Sequence, residues 1–376
     1  MANILIIAGE TSGDLHGANL VRELHQLAPD CVVWGIGGVR MEAAGVKIEY
    51  HISQMAFLGF SEVIKHLPFI RKVLHRLQSL VELNKPDLVI LIDYPGFNLR
   101  MAKFAHNRGI KVLYYISPQV WAWGKNRIKK IARRIDHMAV IFDFERQLYE
   151  AYHVPVTFVG HPLLDTIYIA PTREEFLRSY GLDSQSPILA LLPGSREQEV
   201  QRLLPEMLSI AAEFKNHCPE CQIAVSTTDH IPIKLYDDIL QSFSCTKVTD
   251  TYALMAYATL MMVASGTATL ESAIIGTPFV MVYRVSPLSY WLGKRLIKID
   301  HLALANVVAG KRVVPEFIQD EFCAATVVPA LLNLLRSETE RQKMKSEFAE
   351  IRQKIGNAGA SHRVAELAVA LLRKNG

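Results

Sequence analysis

Cystine cross-links, cysteine ligand sets and long apolar runs are all missing from this sequence, and each absence narrows the field. Five cysteines (Cys31, Cys218, Cys221, Cys245, Cys323) in 376 residues are few and odd in number. They offer no disulfide framework and fit a reducing compartment. Cys218 and Cys221 form one C-x-x-C, in "NHCPECQIAV". A redox pair or half a zinc site would use that spacing. No second C-x-x-C and no H-x-x-x-H lies near, so the two read as semi-buried structural thiols. The longest apolar runs, such as "PDLVILIDYPGF", fall short of the ~20 residues of a membrane span. No basic flank precedes the first apolar run and no signal-peptide cleavage pattern follows it. The chain is therefore expected in the cytoplasm, with attachment to a membrane surface left open. A formal charge of +4 is too small to argue for nucleic acid.

Half the residues are apolar and 21% are charged, enough for packed cores, and the length suggests two domains at ~100–200 residues each. Short apolar runs alternate with helix-period stretches. Residues 4–9, 31–38, 86–93, 111–117 and 137–143 read as strands buried on both faces, as parallel strands under helices are. Three prolines in "VPVTFVGHPLLDTIYIAPTREEF" break the rhythm and place a boundary near 165. The pattern restarts with strands at 188–195, 221–228, 246–250, 259–267 and 278–285, and helices around 198–217, 234–243, 268–276, 323–336 and 339–355. The expected fold is α/β, with two Rossmann-like, doubly wound parallel-sheet domains facing across a cleft, 1–165 and 166–355. A last helix in 356–376 is left to return to the first domain or to join a partner chain, so a homodimer stays open.

The opening "ANILIIAGETSGDLHGANLVREL" looks like the start of a dinucleotide site, but Gly9, Gly13 and Gly17 are spaced G-x-x-x-G-x-x-x-G instead of G-x-G-x-x-G. The acid expected at the end of the second strand is also absent, since "VVWGIGG" ends in glycines. NAD is disfavoured and no cofactor is expected. Instead the turn displays Glu10, Ser12 and Asp14, which would repel a phosphate and suit sugar hydroxyls; Asp14 could equally be a helix cap. "LIDYPGFN" puts Asp93 at the same sheet edge, with Asn98 following. A carboxylate there is either satisfied by its turn or held at a raised pKa, ready to accept a proton. In the second half, "LLPGSREQEV" offers Gly194, Ser195 and Arg196 at a strand end, where N–H groups and a guanidinium can hold phosphate without metal; a turn with a solvent-facing arginine is the plain alternative. "VASGTATLESAIIGTP" adds Ser265, Gly266 and Thr267 as donors to a second phosphate, and Glu271 at a distance suited to a ribose diol or simply to the helix dipole. Two anion-binding turns opposite carboxylates fit a nucleotide-sugar donor and an acceptor with a general base.

The basic run "KNRIKKIARR" follows "VWAW", bringing Trp121, Trp123, Lys125, Arg127, Lys129, Lys130, Arg133 and Arg134 together. This is either a solvated helix face or an anionic-lipid contact flanked by interfacial tryptophans. Residues 55–74 are a second greasy stretch, more simply read as core packing.

The stretches "AGETSGD", "IDYPGFN", "YYISPQVWAW", "LLPGSREQEV" and "SGTATLESAIIGTP", in this order, resemble the lipid-A-disaccharide synthase family of inverting, GT-B type glycosyltransferases. The resemblance continues through "YRVSPLSYWLGKRLIKIDHLALANVVAGKRVVPEFIQ". It implies transfer of 2,3-diacylglucosamine from UDP to 2,3-diacylglucosamine 1-phosphate, giving a β-1′,6-linked disaccharide and UDP without metal. It implies Asp93 as base with Glu10 beside it, Arg196 at the leaving diphosphate, Glu271 at the UDP ribose, and Asn306 lining the cleft. Ser12, Gly13, Asp14 and Asn98 then fall on the acceptor side. Here Ala305 stands where the family's segment has proline, and Gly96 where "IDAPDFN" has an acid. Acylated substrates imply work at the cytoplasmic face of the inner membrane, with the basic and greasy segments as the docking face. A UDP-sugar 2-epimerase of the same fold and a non-catalytic UDP-sugar or lipid binder are the rival readings.

Overall fold

The computed structural model describes residues 1–54, 67–121, 128–229, 231–241, 243–286 and 300–373. The chain divides into two compact units, Met1–Asp165 together with Ile355–Gly376, and Thr166–Lys354.

The first unit is built on a seven-stranded parallel sheet: β1 Asn3–Ala8, β2 Val32–Gly37, β3 Lys47–His51, β4 Leu88–Ile92, β5 Lys111–Tyr115, β6 His137–Val140 and β7 Val156–Phe158, in the order β3-β2-β1-β4-β5-β6-β7. "ILIIA" of β1 and "LVILI" of β4 are wholly buried, because helices cover both faces of the sheet and leave no side for polar residues. On one face the helix Thr11–Leu27 packs against the helix Ala360–Arg373, so the end of the chain returns to this unit. The pair meets through small residues, Ala18 on the first helix and Ala365 and Ala368 on the second being fully buried. His362 Nδ1 lies 2.8 Å from Glu23 Oε2 at the seam. On the other face, Val73, Leu77, Met101 and Ala102 join Leu5, Ile7, Val89, Leu91 and Tyr114 in one core cluster.

The second unit holds six parallel strands: β8 Ile188–Leu192, β9 Gln222–Ser226, β10 Thr246–Val248, β11 Leu260–Ala264, β12 Phe279–Tyr283 and β13 Glu316–Ile318, in the order β10-β9-β8-β11-β12-β13. Both sheets step outward from their first strand and then return to its other side, so the order reverses between β1 and β4 and again between β8 and β11. The crevice at such a reversal, beyond the carboxyl ends of the strands, is where open α/β sheets bind ligands.

Three strands escape the sequence reading: β3, β7 and β13. "KIEYH" has no fully buried residue, and "VTF" and "EFI" are three residues long. At a sheet edge one partner is enough, so no apolar run is required. The central strands are read too long, since β5 stops at Tyr115, β8 at Leu192 and β11 at Ala264, where the glycine- and serine-rich turns take over. Of the greasy stretch 55–74, residues 55–66 lie outside the described residues. The remainder opens the helix Leu67–Asn84, whose Ile70, Val73 and Leu74 are buried in the core.

Candidate functional site

In the first crevice, Ala8 of β1 pairs with Ile92 of β4, and the residues after each strand carry the chemistry. Glu10 is exposed at the N-cap of the helix Thr11–Leu27 and makes no capping bond. Asp93 and Tyr94 take left-handed backbone angles, φ 44° and 45°, which cost of order 1–3 kcal/mol each for residues other than glycine. Surrounding bonds hold that turn. Asp93 N–H donates to the Tyr115 carbonyl at 3.0 Å. The Asp93 carbonyl accepts from Asn98 Nδ2 at 2.8 Å and from the Tyr114 hydroxyl at 2.6 Å. Asn98 also donates to the Ile92 carbonyl. Gly9 lets the Tyr94 ring lie flat on the β1 turn, since a Cβ there would collide with the ring. Burial, and then the charge of Glu10, push the Asp93 carboxyl up to about 6, partly offset by the Tyr94 N–H. It is an acid poised to gain or lose a proton near neutrality.

In the second crevice, β8 runs into Pro193 and Gly194, the latter at φ 109°. Ser195 and Arg196 are exposed, Arg196 being the N-cap of the helix Glu197–His217. Glu199 folds back into this turn, its Oε2 accepting from Ser195 N–H at 3.1 Å and its Oε1 lying 3.1 Å from Arg196 Nη1. A Cβ on Gly194 would strike Glu199 Oε2, so both the positive φ and the close approach call for glycine. At the end of β11, Gly266 and Thr267 are exposed at the start of the helix Thr267–Ile275. Ser265 is half-buried, its hydroxyl donating to the Leu302 carbonyl at 3.1 Å. Glu271 lies past the first helical turn and accepts from the Tyr252 hydroxyl at 3.3 Å. Burial raises its pKa.

Residues 4–369 match the family model described as lipid-A-disaccharide synthetase. The lipid-A-disaccharide synthase of Geobacter metallireducens is 44% identical over 380 residues, covering 99% of this chain and 97% of that protein. That of Coxiella burnetii is 39% identical over 369 residues, 97% of each. The chain belongs to the lipid-A-disaccharide synthase family. Solved structures share its fold at low identity. A MnaA–UDP co-structure from S. aureus has a TM-score of 0.66 at 13% identity, over 99% of this chain and 97% of that one. The calicheamicin glycosyltransferase CalG4 has a TM-score of 0.62 at 15% identity, over 100% and 99%.

Within this family member the structure corrects several residue assignments. Asp14 is buried away from the turn's surface and does not cap its own helix. It is 2% exposed, and its carboxylate accepts from the N–H groups of Gly38, Arg40 and Met41 at 2.6, 3.2 and 3.1 Å. It therefore caps the separate helix Val39–Ala43, where three of its roughly four acceptor sites are taken up. Gly13 is buried against Ala8, a helix-to-strand packing position, while Ser12 is exposed. Asn98 is fully buried and shapes the Asp93 turn without facing solvent. Asn306 is also fully buried, so it does not line an open site. Its Nδ2 donates to the Val314 carbonyl and to Glu316 Oε1, and its Oδ1 accepts from the N–H groups of Val313 and Val314, all at 2.7–2.9 Å. A carboxamide so placed locks a loop and has nothing left for a nucleotide.

Trp123, Lys125 and Arg127 lie outside the described residues. Lys129, Lys130 and Arg133 are exposed on and just after the short helix Ile128–Ala132. Trp121 is half-buried, packed edge-on to Phe144 at 5.6 Å. Arg134 belongs to the fold, donating to the Leu99 carbonyl at 3.2 Å. Cys218 and Cys221 are buried, and burial pushes their thiols up to about 11 and about 12, which disfavours the thiolate that redox exchange or metal binding needs.

The sequence reading missed a buried polar row at the ends of β5, β6 and β7. Ser117 Oγ and the Tyr149 hydroxyl lie 2.7 Å apart. Glu145, 2% exposed, is pushed up to about 8 by burial. His161 and His16 are pushed down to about 3 and about 4, again mainly by burial, so both imidazoles are neutral at pH 7. The signal available was "FVGHP", a histidine directly after a glycine at an apolar run's end.

Proposed function

We propose that this chain transfers 2,3-diacylglucosamine from its UDP derivative to the 6-hydroxyl of 2,3-diacylglucosamine 1-phosphate, by single displacement with inversion. The acceptor oxygen forms a bond to the anomeric carbon, the bond from that carbon to the phosphate oxygen breaks, UDP leaves, and Asp93 takes the hydroxyl proton. The observation that carries this reading is Asp93 itself: a carboxyl on a turn in which Asp93 and Tyr94 are both left-handed, at the reversal of the first sheet, with its pKa raised to about 6. A general base works best with a pKa near the working pH. Burial, and after it the charge of Glu10, keep it there, and Glu10 with Ser12 contributes hydroxyl acceptors for the sugar.

The donor falls to the second unit. Gly194, Ser195 and Arg196 meet the diphosphate, where negative charge grows as the leaving group departs. The N-terminus of the helix Thr267–Ile275 adds N–H donors near Ser265, Gly266 and Thr267, and Glu271 takes the ribose diol.

The test is UDP release from UDP-2,3-diacylglucosamine in micelles containing EDTA, with and without the acceptor. Acceptor-dependent release with a disaccharide product is expected. Epimerised UDP-N-acetylglucosamine, or binding without release, would contradict the proposal.

Acylated substrates place the enzyme at a lipid surface, and we assign Lys129, Lys130 and Arg133 to that contact. Among the described residues no helix is long and apolar enough to cross a membrane. At about 1 kcal/mol per basic residue, replacing all three with glutamine should weaken binding to phosphatidylserine-containing vesicles by about 10²-fold. Arg134 is left intact, so melting should not change. Sedimentation with vesicles reads the effect, and equal binding of the triple variant would remove the assignment.

A further inference from the structure

We propose that Glu199 is an intramolecular stand-in for the donor's phosphate, a carboxylate that must leave the Gly194–Arg196 turn before UDP can bind and that returns as UDP departs. The inference rests on the assignment of that turn to the diphosphate.

Its basis is the way the carboxylate is seated. Glu199 engages a backbone N–H with one oxygen and a guanidinium with the other, at 3.1 Å each. These are the donors an oxyanion of phosphate would use. Its side chain is 18% exposed while that of Arg196 is 54% exposed. An ordinary surface glutamate in a first helical turn gains from the helix dipole without entering the preceding loop; this one fills the space a Cβ at Gly194 would take. Tyr283, at the end of β12, feels the charges of Glu199, Arg196 and Arg202 together, so the carboxylate sits among the charged groups of the crevice. The Ser195 N–H is a single donor already taken by Glu199 Oε2, and a phosphate brought against that carboxylate is repelled by like charge, so the closed carboxylate and a phosphate seated on that N–H exclude each other.

The consequence is an affinity set by the open fraction of the turn. The apparent dissociation constant for UDP exceeds the intrinsic one by the reciprocal of that fraction. In the product complex the carboxylate competes for the same donors and hastens release of UDP. Glu199 is thus a positioning residue for the donor and a determinant of product release, acting through Arg196.

The experiment titrates UDP alone into the full-length chain by calorimetry. Glu199→Gln removes the charge and keeps the side chain's size; UDP should bind about 5–10-fold more tightly, as expected when a closed state that excludes ligand is depopulated. UDP should become a stronger product inhibitor by the same factor, while kcat does not rise. Glu199→Asp, too short to span both donors, should tighten UDP by about 2–3-fold on the same argument and covers the case in which the glutamine variant fails to fold. In an Arg196→Ala background the gain from Glu199→Gln should fall below about 2-fold, since the coupling partner is gone. A structural prop for Arg196 would show the opposite sign. Equal or weaker UDP binding by both Glu199 variants, with wild type binding UDP normally, overturns this inference alone. Failure of wild type to bind UDP overturns the donor-site assignment and this inference with it.

Discussion

Asp93→Asn should lower acceptor-dependent UDP release by about 10²–10⁴-fold, the usual contribution of a positioned general base, while UDP affinity stays within error. The substitution is nearly isosteric. Asparagine also accepts the left-handed backbone angle that Asp93 adopts at φ 44° better than almost any other residue, so the turn should survive. The separation of rate from affinity is the diagnostic: a group that acts only on the acceptor proton changes the chemical step and leaves UDP binding untouched. The same variant carries a stability signature with a definite sign. A carboxyl whose folded pKa is raised from 3.8 to about 6 favours the protonated fold, so its contribution is fully present below pH 3.8 and is lost as pH rises through 6. Removing the charge should therefore stabilise the protein above pH 6, by of order 2 kcal/mol at pH 8, and by little at pH 4. Thermal melting at both pH values reads this. A variant that loses activity and also melts lower at pH 8 would mean that Asp93 serves the fold.

Asn306→Ala should be the most destabilising single change at any of the candidate positions, by about 3 kcal/mol or more. It removes four hydrogen bonds and leaves the N–H groups of Val313 and Val314 without their acceptor. It also takes a donor from buried Glu316, whose carboxylate then relies on the N–H groups of Leu302 and Ala303. Leaving buried polar groups unpaired is what makes such changes costly. Asn306→Asp sharpens the test. It places a second carboxyl beside Glu316 Oε1, now 2.8 Å from the amide, so two like charges face each other and melting should fall further than with alanine. If Asn306 served the nucleotide instead, both variants would melt like wild type and lose UDP binding.

The two parallel sheets, though not their strand order, were legible because their central strands are apolar on both faces. "ILIIA", "LVILI" and "LMMVA" can only be buried, and each ends in a turn rich in glycine, serine or acid that marks the functional edge of the sheet. Position at that edge is what singled out Asp93, Glu10, Arg196 and the Ser265–Thr267 turn as candidates. Position does not reveal saturation. Asp14 and Glu10 occur in one turn of sequence, yet one carboxylate receives three backbone N–H groups from residues 38–41 and the other receives none from its own helix. The donors to Asp14 come from a helix that starts 25 residues later, and no local pattern predicts them. Asn306 hid in the same way, its partners arriving from the loop after its own short helix. Glu199 went unread in the sequence, because an acid in a first helical turn ordinarily does no more than complement the dipole; only the left-handed Gly194 shows why its carboxylate enters the loop. Glu145 was invisible for another reason, because an acid in "DFERQ" is what a helix start ordinarily carries and its burial is a property of the sheet beneath it.

The most direct test of a base at Asp93 is the pH dependence of kcat/KM for the acceptor under saturating donor. The account predicts a rate that climbs with pH and reaches half its plateau near pH 6, the limb following ionisation of the Asp93 carboxyl. A profile that stays flat between pH 5 and 8, or that falls as pH rises through 6, would contradict it.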